Sequence, residues 1–252
     1  VSATRTLGRK FSWVLFGNIC YAACQWLLIV LLAKLGSPHM VGQFTLAIAV
    51  CAPIMLFCGL SLRVVQATDA GRTRPFNRYL GVRTLSTFAA LVIIMGVAMF
   101  GGYSEDATLI IVLIGAAKAF ESVSDVFWGH LQQREHMDVI ATSMIVKGAL
   151  SVTMLVGVLL WFDSLPLATA AFATSWLLTL VGYDVPAGRR LFNESIRPAF
   201  EWKPMIELAR VALPLGIISM LLSFSTNIPR YFLVHYRDEH DLGVFSAIAN
   251  LM

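Results

Sequence analysis

The sequence predicts an all-α fold, a polytopic bundle of transmembrane helices, on three observations. Hydrophobic residues make up 58% of the 252 residues and charged residues only 13%, about half the charged fraction of a soluble domain. Seven apolar runs each have about the 20 residues that a helix needs to cross a bilayer. The breaks between these runs are short and alternate in charge. A soluble domain could not cover so much apolar surface, so lipid is the expected solvent.

The predicted spans follow one another along the whole chain. They lie at about 12–35, 41–60, 82–102, 107–131, 139–162, 166–183 and 208–234, and an eighth begins near Leu242 and is cut off at Met252. The first run is too long for a signal-peptide core and no cleavage motif follows it, so we expect an uncleaved span. We also expect the chain to be a fragment that stops inside span eight. Pro53, Pro214 and Pro229 lie within spans two and seven, where bent helices are expected.

Basic residues predict the orientation. The breaks after spans one, three and five carry little positive charge, with Glu105 and Asp106 in one and Asp163 in another. The N-terminal tail and the breaks at 61–81 and 184–207 are basic. In these segments or at their edges lie Arg5, Arg9, Lys10, Arg63, Arg72, Arg74, Arg78, Arg83, Arg189, Arg190, Arg197, Lys203 and Arg210. Because basic loops face the cytoplasm, we expect a cytoplasmic N-terminus.

A short internal repeat predicts how the spans are grouped. The sequence VGQFT at 41–45 follows span one, and LGVFS at 242–246 follows span seven, 201 residues later. Six spans per period make such a repeat parallel, which gives two lobes side by side. We therefore expect a six-span lobe at 1–200 and the start of a second lobe at 201–252.

Span four carries an unusual stripe of charge. Lys118, Glu121, Asp125 and Gln132 fall within roughly 80° of arc on a helix of about 100° per residue. One interpretation is a Lys118–Glu121 pair that fastens span four to a neighbour. The other is a stripe that lines an aqueous cavity, and the third charge of Asp125 favours it. Glu121 and Asp125 would repel each other if both were ionised, so we expect one of them to have a raised pKa. Because Lys118 would lower the pKa of Glu121, Asp125 is the candidate proton carrier.

Two arginines are further candidates. Arg63 lies at the cytoplasmic end of span two, and Arg230 lies inside the outer end of span seven, after Pro229. A guanidinium suits the bidentate binding of phosphate, although an inter-helix salt bridge is an equal alternative for Arg230. Lys34 and Lys147 are expected to extend from span ends to the membrane interface.

Signatures of other chemistry are missing from the sequence. The four cysteines, Cys20, Cys24, Cys51 and Cys58, lie in apolar runs without the spacing of a metal or redox motif. There is no phosphate-cradling glycine-rich loop, no HExxH and no GxSxG. We therefore expect no catalytic residue, no metal, no cofactor and no nucleic-acid partner.

Several segments together resemble a known family. They are LAKLGSP at 32–38, VGQF at 41–44, LRVVQATDA at 62–70, KAFESVSD at 118–125 and NIPRYF at 227–232. The chain resembles the polysaccharide biosynthesis proteins, the Wzx-like O-antigen (lipopolysaccharide) flippases of the multidrug/oligosaccharidyl-lipid/polysaccharide exporter (MOP) superfamily.

The resemblance implies about twelve to fourteen spans in two lobes around a central cavity. It implies flipping of undecaprenyl-diphosphate-linked oligosaccharides between the leaflets of the bacterial inner membrane, driven by a proton or sodium gradient. Cavity charges would contact the diphosphate and the sugars, a role that falls here on Lys118, Glu121, Asp125, Arg63 and Arg230. A multidrug exporter of the same superfamily is the alternative. A membrane-embedded polymerase or glycosyltransferase is disfavoured by the short outer loops.

Overall fold

A computed structural model describes the backbone of residues 2–69, 74–192 and 196–249, and side chains from residue 12 onward within these ranges. The regular structure of these ranges is helical, and the helices are α1 (Ser2–Leu35), α2 (Pro38–Gly59), α3 (Leu62–Thr68), α4 (Phe76–Phe100), α5 (Glu105–Gln133), α6 (Met137–Phe162), α7 (Leu165–Thr179), α8 (Val185–Leu191), α9 (Trp202–Tyr236) and α10 (Glu239–Ala249). Four predicted features lie outside the described residues, namely Arg72, the end of the chain at Met252, and the side chains of the N-terminal basic residues and of residues 193–195.

The predicted bundle of membrane-spanning helices is confirmed. Within the described ranges, seven helical segments are long and apolar enough to cross a membrane. Two of them are extended by a further helical segment, because α2 continues into α3 and because a π-helical turn at Leu180–Asp184 joins α7 to α8. The second segment therefore runs from Pro38 to Thr68 and the sixth from Leu165 to Leu191.

Serine and proline residues set where several spans begin. Ser37 and Ser104 are N-caps, and their hydroxyls accept hydrogen bonds from Met40 N at 3.2 Å and Ala107 N at 3.3 Å. These bonds satisfy backbone donors that the first helical turn leaves unpaired. Pro38 opens α2, where the missing N–H of proline has no consequence.

The proline inside α2 is compensated by another helix. Pro53 has no N–H to donate to the carbonyl of Ala49 one turn earlier. The hydroxyl of Tyr231 on α9 donates to that carbonyl at 2.5 Å. The predicted proline interruption of span two therefore also serves as an attachment point between α2 and α9.

Two apolar clusters are separated by a polar layer. The first cluster includes Ala90 of α4, Ala117 of α5 and Leu155 of α6, and the second includes Val82, Val126 and Met144 of the same three helices. Polar side chains occupy the turns between them, among them Arg83, Thr87, Ser122, Ser124, Lys147 and Ser151. The layer crosses α5 and α6 near the middle of their lengths and α4 in its first half, so these groups lie within the membrane-spanning segments.

Helix α2 occupies the centre of the bundle and contacts α4, α5, α9 and α10. Its contact with α10 involves the two copies of the predicted repeat. A methyl group on Gly42 would overlap the carbonyl of Glu239, and one on Gly243 would overlap the carbonyl of Pro38. The hydroxyl of Ser246 donates to Thr45 Oγ1 at 3.2 Å. Each pair of equivalent residues is 201 positions apart, so the contact is reciprocal. The division into two lobes remains a prediction.

Candidate functional site

A cavity of about 310 Å³ lies in the polar layer between α2, α3, α4 and α5. Apolar side chains such as Met55 and Leu56 of α2 form part of its wall. Its polar lining consists of Ser61, Arg63, Arg83, Lys118, Glu121, Ser122 and Asp125. We call it the charged cavity. Charged groups at this depth need a partner or water, and most of these side chains have a partner.

The predicted stripe on α5 faces this cavity. Lys118 Nζ lies 2.9 Å from Glu121 Oε2, one turn along the helix. The hydroxyl of Tyr21 on α1 donates to Glu121 Oε1 at 2.9 Å. The Lys118–Glu121 pair and the lining of a cavity, which the sequence presents as alternatives, therefore occur together. The pair also connects α5 to α1 through Tyr21.

Arg63 reaches the cavity because the chain bends sharply after α2. Leu60 and Ser61 have φ angles of 52° and 46°, a left-handed conformation that costs residues other than glycine energy. The bend starts α3, from which Arg63 Nη1 approaches Asp125 Oδ1 and its Nε approaches Gln132 Oε1, both at 3.4 Å. The guanidinium also lies 5.3 Å from the centroid of the Trp128 ring. Span two therefore supplies a cation to the stripe on span four.

Arg83 is a cavity residue that the sequence analysis counted only as part of a basic break. It is buried on α4, and its Nη1 donates to Ser122 Oγ at 3.2 Å. The guanidinium packs against Gly59, where a Cβ would lie 2.8 Å from Nη1. Its Nε has no hydrogen-bond partner in the described part of the chain. A signal was available, since Arg83 falls one residue inside the predicted third span.

Lys147 does not extend to the membrane interface, and that prediction is wrong. It is completely buried in the middle of α6. Its ammonium lies 4.2 Å from the centroid of Trp128 and 5.3 Å from that of Trp176, distances typical of cation–π contacts. Nζ has no hydrogen-bond acceptor among the described residues. Lys147 lies far from both ends of α6, and Trp128 and Trp176 of the neighbouring helices cover its side chain.

Asp184 lies behind the cavity with Lys147, and the sequence analysis missed it as well. It is completely buried in the π-helical turn. Its Oδ1 accepts hydrogen bonds from Ser143 Oγ at 2.5 Å and from Trp128 Nε1 at 3.3 Å. The carboxylate lies near enough to offset the charge of the Lys147 ammonium, as does Glu121, but Lys147 Nζ and Asp184 Oδ2 form no hydrogen bond with each other. This pair is enclosed within the bundle and does not line the charged cavity.

The structure brings together four of the five predicted site residues. Arg63, Lys118, Glu121 and Asp125 line the charged cavity, and Arg230 does not. Arg230 Nη1 instead donates to Asn227 Oδ1 at 2.7 Å on the same helix, α9. No ion pair of Arg230 with an acidic side chain is found among the described residues, so the inter-helix salt bridge is not formed there.

One cluster of potential metal ligands occurs in the described ranges. Asp238, His240 and Asp241 bring their ligand atoms within 4.8 Å of one another, and all three residues are exposed. Asp238 lies between α9 and α10, and His240 and Asp241 lie in the first turn of α10. Exposed acidic groups in such a position are common without a metal.

The comparison with known proteins agrees with the helical bundle. The polysaccharide biosynthesis protein family matches residues 7–252, which is nearly the whole chain. The chain belongs to the polysaccharide biosynthesis protein family. Another protein similar to it is the capsular polysaccharide biosynthesis protein CapF of Staphylococcus aureus, 25% identical over 244 residues. That match covers 97% of this chain and 61% of CapF.

Solved transporter structures share the fold of this family member. The MATE multidrug transporter DinF-BH superposes with a TM-score of 0.61 and 15% identity, over 98% of this chain and 60% of its own. A second MATE structure gives a TM-score of 0.64 and 15% identity, over 96% and 59%. A MOP superfamily transporter from Pyrococcus furiosus gives 0.59 and 17%, over 88% and 53%. The chain therefore spans about 60% of the length of CapF and of the two MATE structures. Its fold is the fold of these transporters.

Proposed function

We propose that this chain forms part of a transporter that flips undecaprenyl-diphosphate-linked oligosaccharides across the bacterial inner membrane by alternating access. The observation that carries the proposal is the charged cavity in the polar layer. Its described lining includes three cations, Arg63, Arg83 and Lys118, and two anions, Glu121 and Asp125, so the balance is 3 − 2 = +1. A net positive site within the membrane-spanning segments suits an anionic group that must pass through the apolar part of the bilayer.

The chemistry of the lining matches the two parts of such a substrate. Guanidinium groups bind phosphate oxygens through paired hydrogen bonds, and Arg83 has donor capacity left after its bond to Ser122. Glu121 and Asp125 already accept bonds from Lys118, Tyr21 and Arg63. Carboxylates with lone pairs left over can accept hydrogen bonds from sugar hydroxyls. Diphosphate recognition is therefore assigned to the cations and sugar recognition to the acids.

Two alternatives rest on different observations. The likeness to MATE multidrug transporters favours a drug exporter, but a lipophilic cation would enter a cavity of net positive charge. A polymerase or glycosyltransferase would need a set of catalytic groups, whereas these charges are largely paired with one another. We therefore assign the chain to a transporter and not to an enzyme. A proton or sodium gradient is the expected energy source, and Asp125, paired with Arg63, remains the candidate for proton coupling.

The test uses the full-length protein that carries this sequence, in a strain whose surface polysaccharide depends on it. We expect Arg83→Gln and Lys118→Gln each to reduce polysaccharide output about 10-fold or more at equal protein level, since a charge-assisted hydrogen bond contributes about 1.5–3 kcal/mol. Arg78→Gln and Lys34→Gln remove the same charges outside the cavity and should leave output unchanged.

A second measurement separates the flippase from the drug exporter. In the same strain, resistance to lipophilic cations should not depend on the protein. Normal polysaccharide output from both cavity variants would refute the proposal, and resistance that is lost in them would establish the exporter instead.

A further inference from the structure

A second pocket lies on the opposite side of α5 from the charged cavity. Its volume is about 470 Å³, within the range of about 300–1,000 Å³ that is usual for ligand sites. Leu80 of α4, Val123 and Phe127 of α5 and Val185 of α8 form an apolar wall. Two exposed arginines, Arg189 and Arg197, complete it. We call it the Arg189 pocket.

The wall of this pocket formed by residues 196–198 is held in place by backbone contacts. Just beyond it, Ala199 N donates to Asn77 O at 3.0 Å. Gly81 allows the carbonyl of Ala199 to approach α4, since a Cβ there would overlap it. Arg78 and Glu201 form an ion pair at 3.3 Å across the same junction. The segment that carries Arg197 is therefore seated on the first turns of α4, and the pocket is a formed site.

The position of the pocket relates it to the surface of the membrane. Leu80 lies in the second turn of α4, Phe127 lies two turns before the end of α5, and Arg189 lies in the last turn of α8. The start of α4 and the end of α8 adjoin the basic breaks at 61–81 and 184–207, which are predicted to face the cytoplasm. The pocket therefore has its apolar part, down to Val123, within the hydrocarbon region and its arginines toward the cytoplasmic head groups.

The lining is complementary to an anionic amphiphile. The described residues that line the pocket include two cations and no acidic side chain. Basic pockets between spans on the cytoplasmic side suit the head groups of anionic lipids. A neutral lipid would bring no net charge to the two guanidinium groups, and a free phosphate would leave the apolar wall exposed to water.

We propose that the Arg189 pocket binds an anionic phospholipid. Arg189 and Arg197 hold the phosphate, and Leu80, Val123 and Phe127 contact the first methylene groups of an acyl chain. This site is separate from the charged cavity and does not depend on the proposed transport activity.

The test is native mass spectrometry of the full-length protein in detergent with added phosphatidylglycerol or phosphatidylcholine of equal chain length. We expect phosphatidylglycerol to bind more tightly, and Arg189→Gln and Arg197→Gln each to weaken it on the order of fivefold. Arg190→Gln is the matched control, because this adjacent exposed arginine lines a different depression with Tyr183 and Pro186. It should leave the binding unchanged.

Two further arms separate the parts of the site. Val123→Trp fills the apolar part of the pocket without changing its charge, and we expect it to abolish the tight binding of phosphatidylglycerol. Millimolar inorganic phosphate should not displace the lipid. Equal loss of binding in Arg190→Gln, equal affinity for phosphatidylcholine, unaltered binding in Val123→Trp, or displacement by phosphate would each overturn the proposal.

Discussion

The charged residues inside the bundle are of two kinds: some line the charged cavity, and others are completely buried. Arg63, Arg83 and Lys118 line the charged cavity and can meet a ligand. Lys147 and Asp184 are completely buried behind it and contact only fixed neighbours. The first kind is suited to recognition. The second kind is structural, since Asp184 joins the end of the sixth span to α6 by accepting a hydrogen bond from Ser143.

The enclosed pair predicts a non-additive effect on stability. Asp184→Asn keeps an acceptor for Ser143 and Trp128 but removes one of the negative charges that offset the buried Lys147 ammonium, so we expect it to destabilise the protein by about 1–3 kcal/mol. Adding Lys147→Met removes the charge that Asp184 offsets, and the double variant should be more stable than Asp184→Asn alone. Thermal unfolding midpoints of the full-length protein in detergent measure both effects.

The control for this prediction is Asp163→Asn, an exposed aspartate between α6 and α7. Its unfolding midpoint should match that of the parent protein. Additive losses in the double variant would show that Lys147 and Asp184 do not stabilise each other.

The sequence predicts the part of the site that depends on a single helix. Helical spacing alone places Lys118, Glu121 and Asp125 on one face of α5. Arg83, Lys147 and Asp184 were missed because their burial depends on which neighbouring helices enclose them, and spacing within one helix carries no such information. Arg230 was assigned to the site for its chemistry, but α9 turns it toward Asn227 and away from the cavity.

At the scale of helices, the prediction is good for the apolar runs and weaker at their ends. Span two was expected to end near residue 60, and the helical path resumes at Leu62 after two left-handed residues. Composition cannot separate such a bend from a true end. Pro53 was identified as an interruption, but its compensation by Tyr231 depends on a residue 178 positions away, which local sequence does not indicate.

The contact between α2 and α10 predicts opposite effects for glycine substitutions. Gly42→Ala places a methyl group on the carbonyl of Glu239, so the helices must separate and we expect a loss of about 1–3 kcal/mol. Gly157→Ala on α6 meets nothing within 4 Å and should stabilise the helix by roughly 0.5–1 kcal/mol. Thermal unfolding of the full-length protein compares them.

Gly243→Ala should resemble Gly42→Ala, and the two substitutions together should cost less than their sum, because both act on one contact. A Gly42→Ala variant as stable as Gly157→Ala would mean that the two helices do not meet at Gly42.

At the scale of the whole molecule, charge placement predicts how the bundle crosses the membrane. In a variant without native cysteines, Ser104→Cys, before α5, should react with a membrane-impermeant maleimide in intact cells. Phe200→Cys, in the basic break before α9, should react only after permeabilisation. Both positions are exposed, so access to the reagent depends on the side of the membrane. Labelling of Phe200→Cys in intact cells, with Ser104→Cys protected, would reverse the orientation.

The reciprocal contact between Gly42 and Gly243 has a consequence for the history of the chain. When two identical subunits associate around a two-fold axis, each presents the same patch to the other, and such an interface is called isologous. The segments that begin at Pro38 and Glu239 meet in this manner within one polypeptide. A gene duplication that fused a six-span ancestor to its own copy would leave this arrangement behind. The two copies could then diverge elsewhere, but at this contact a substitution in one copy would have to remain compatible with the residues of the other.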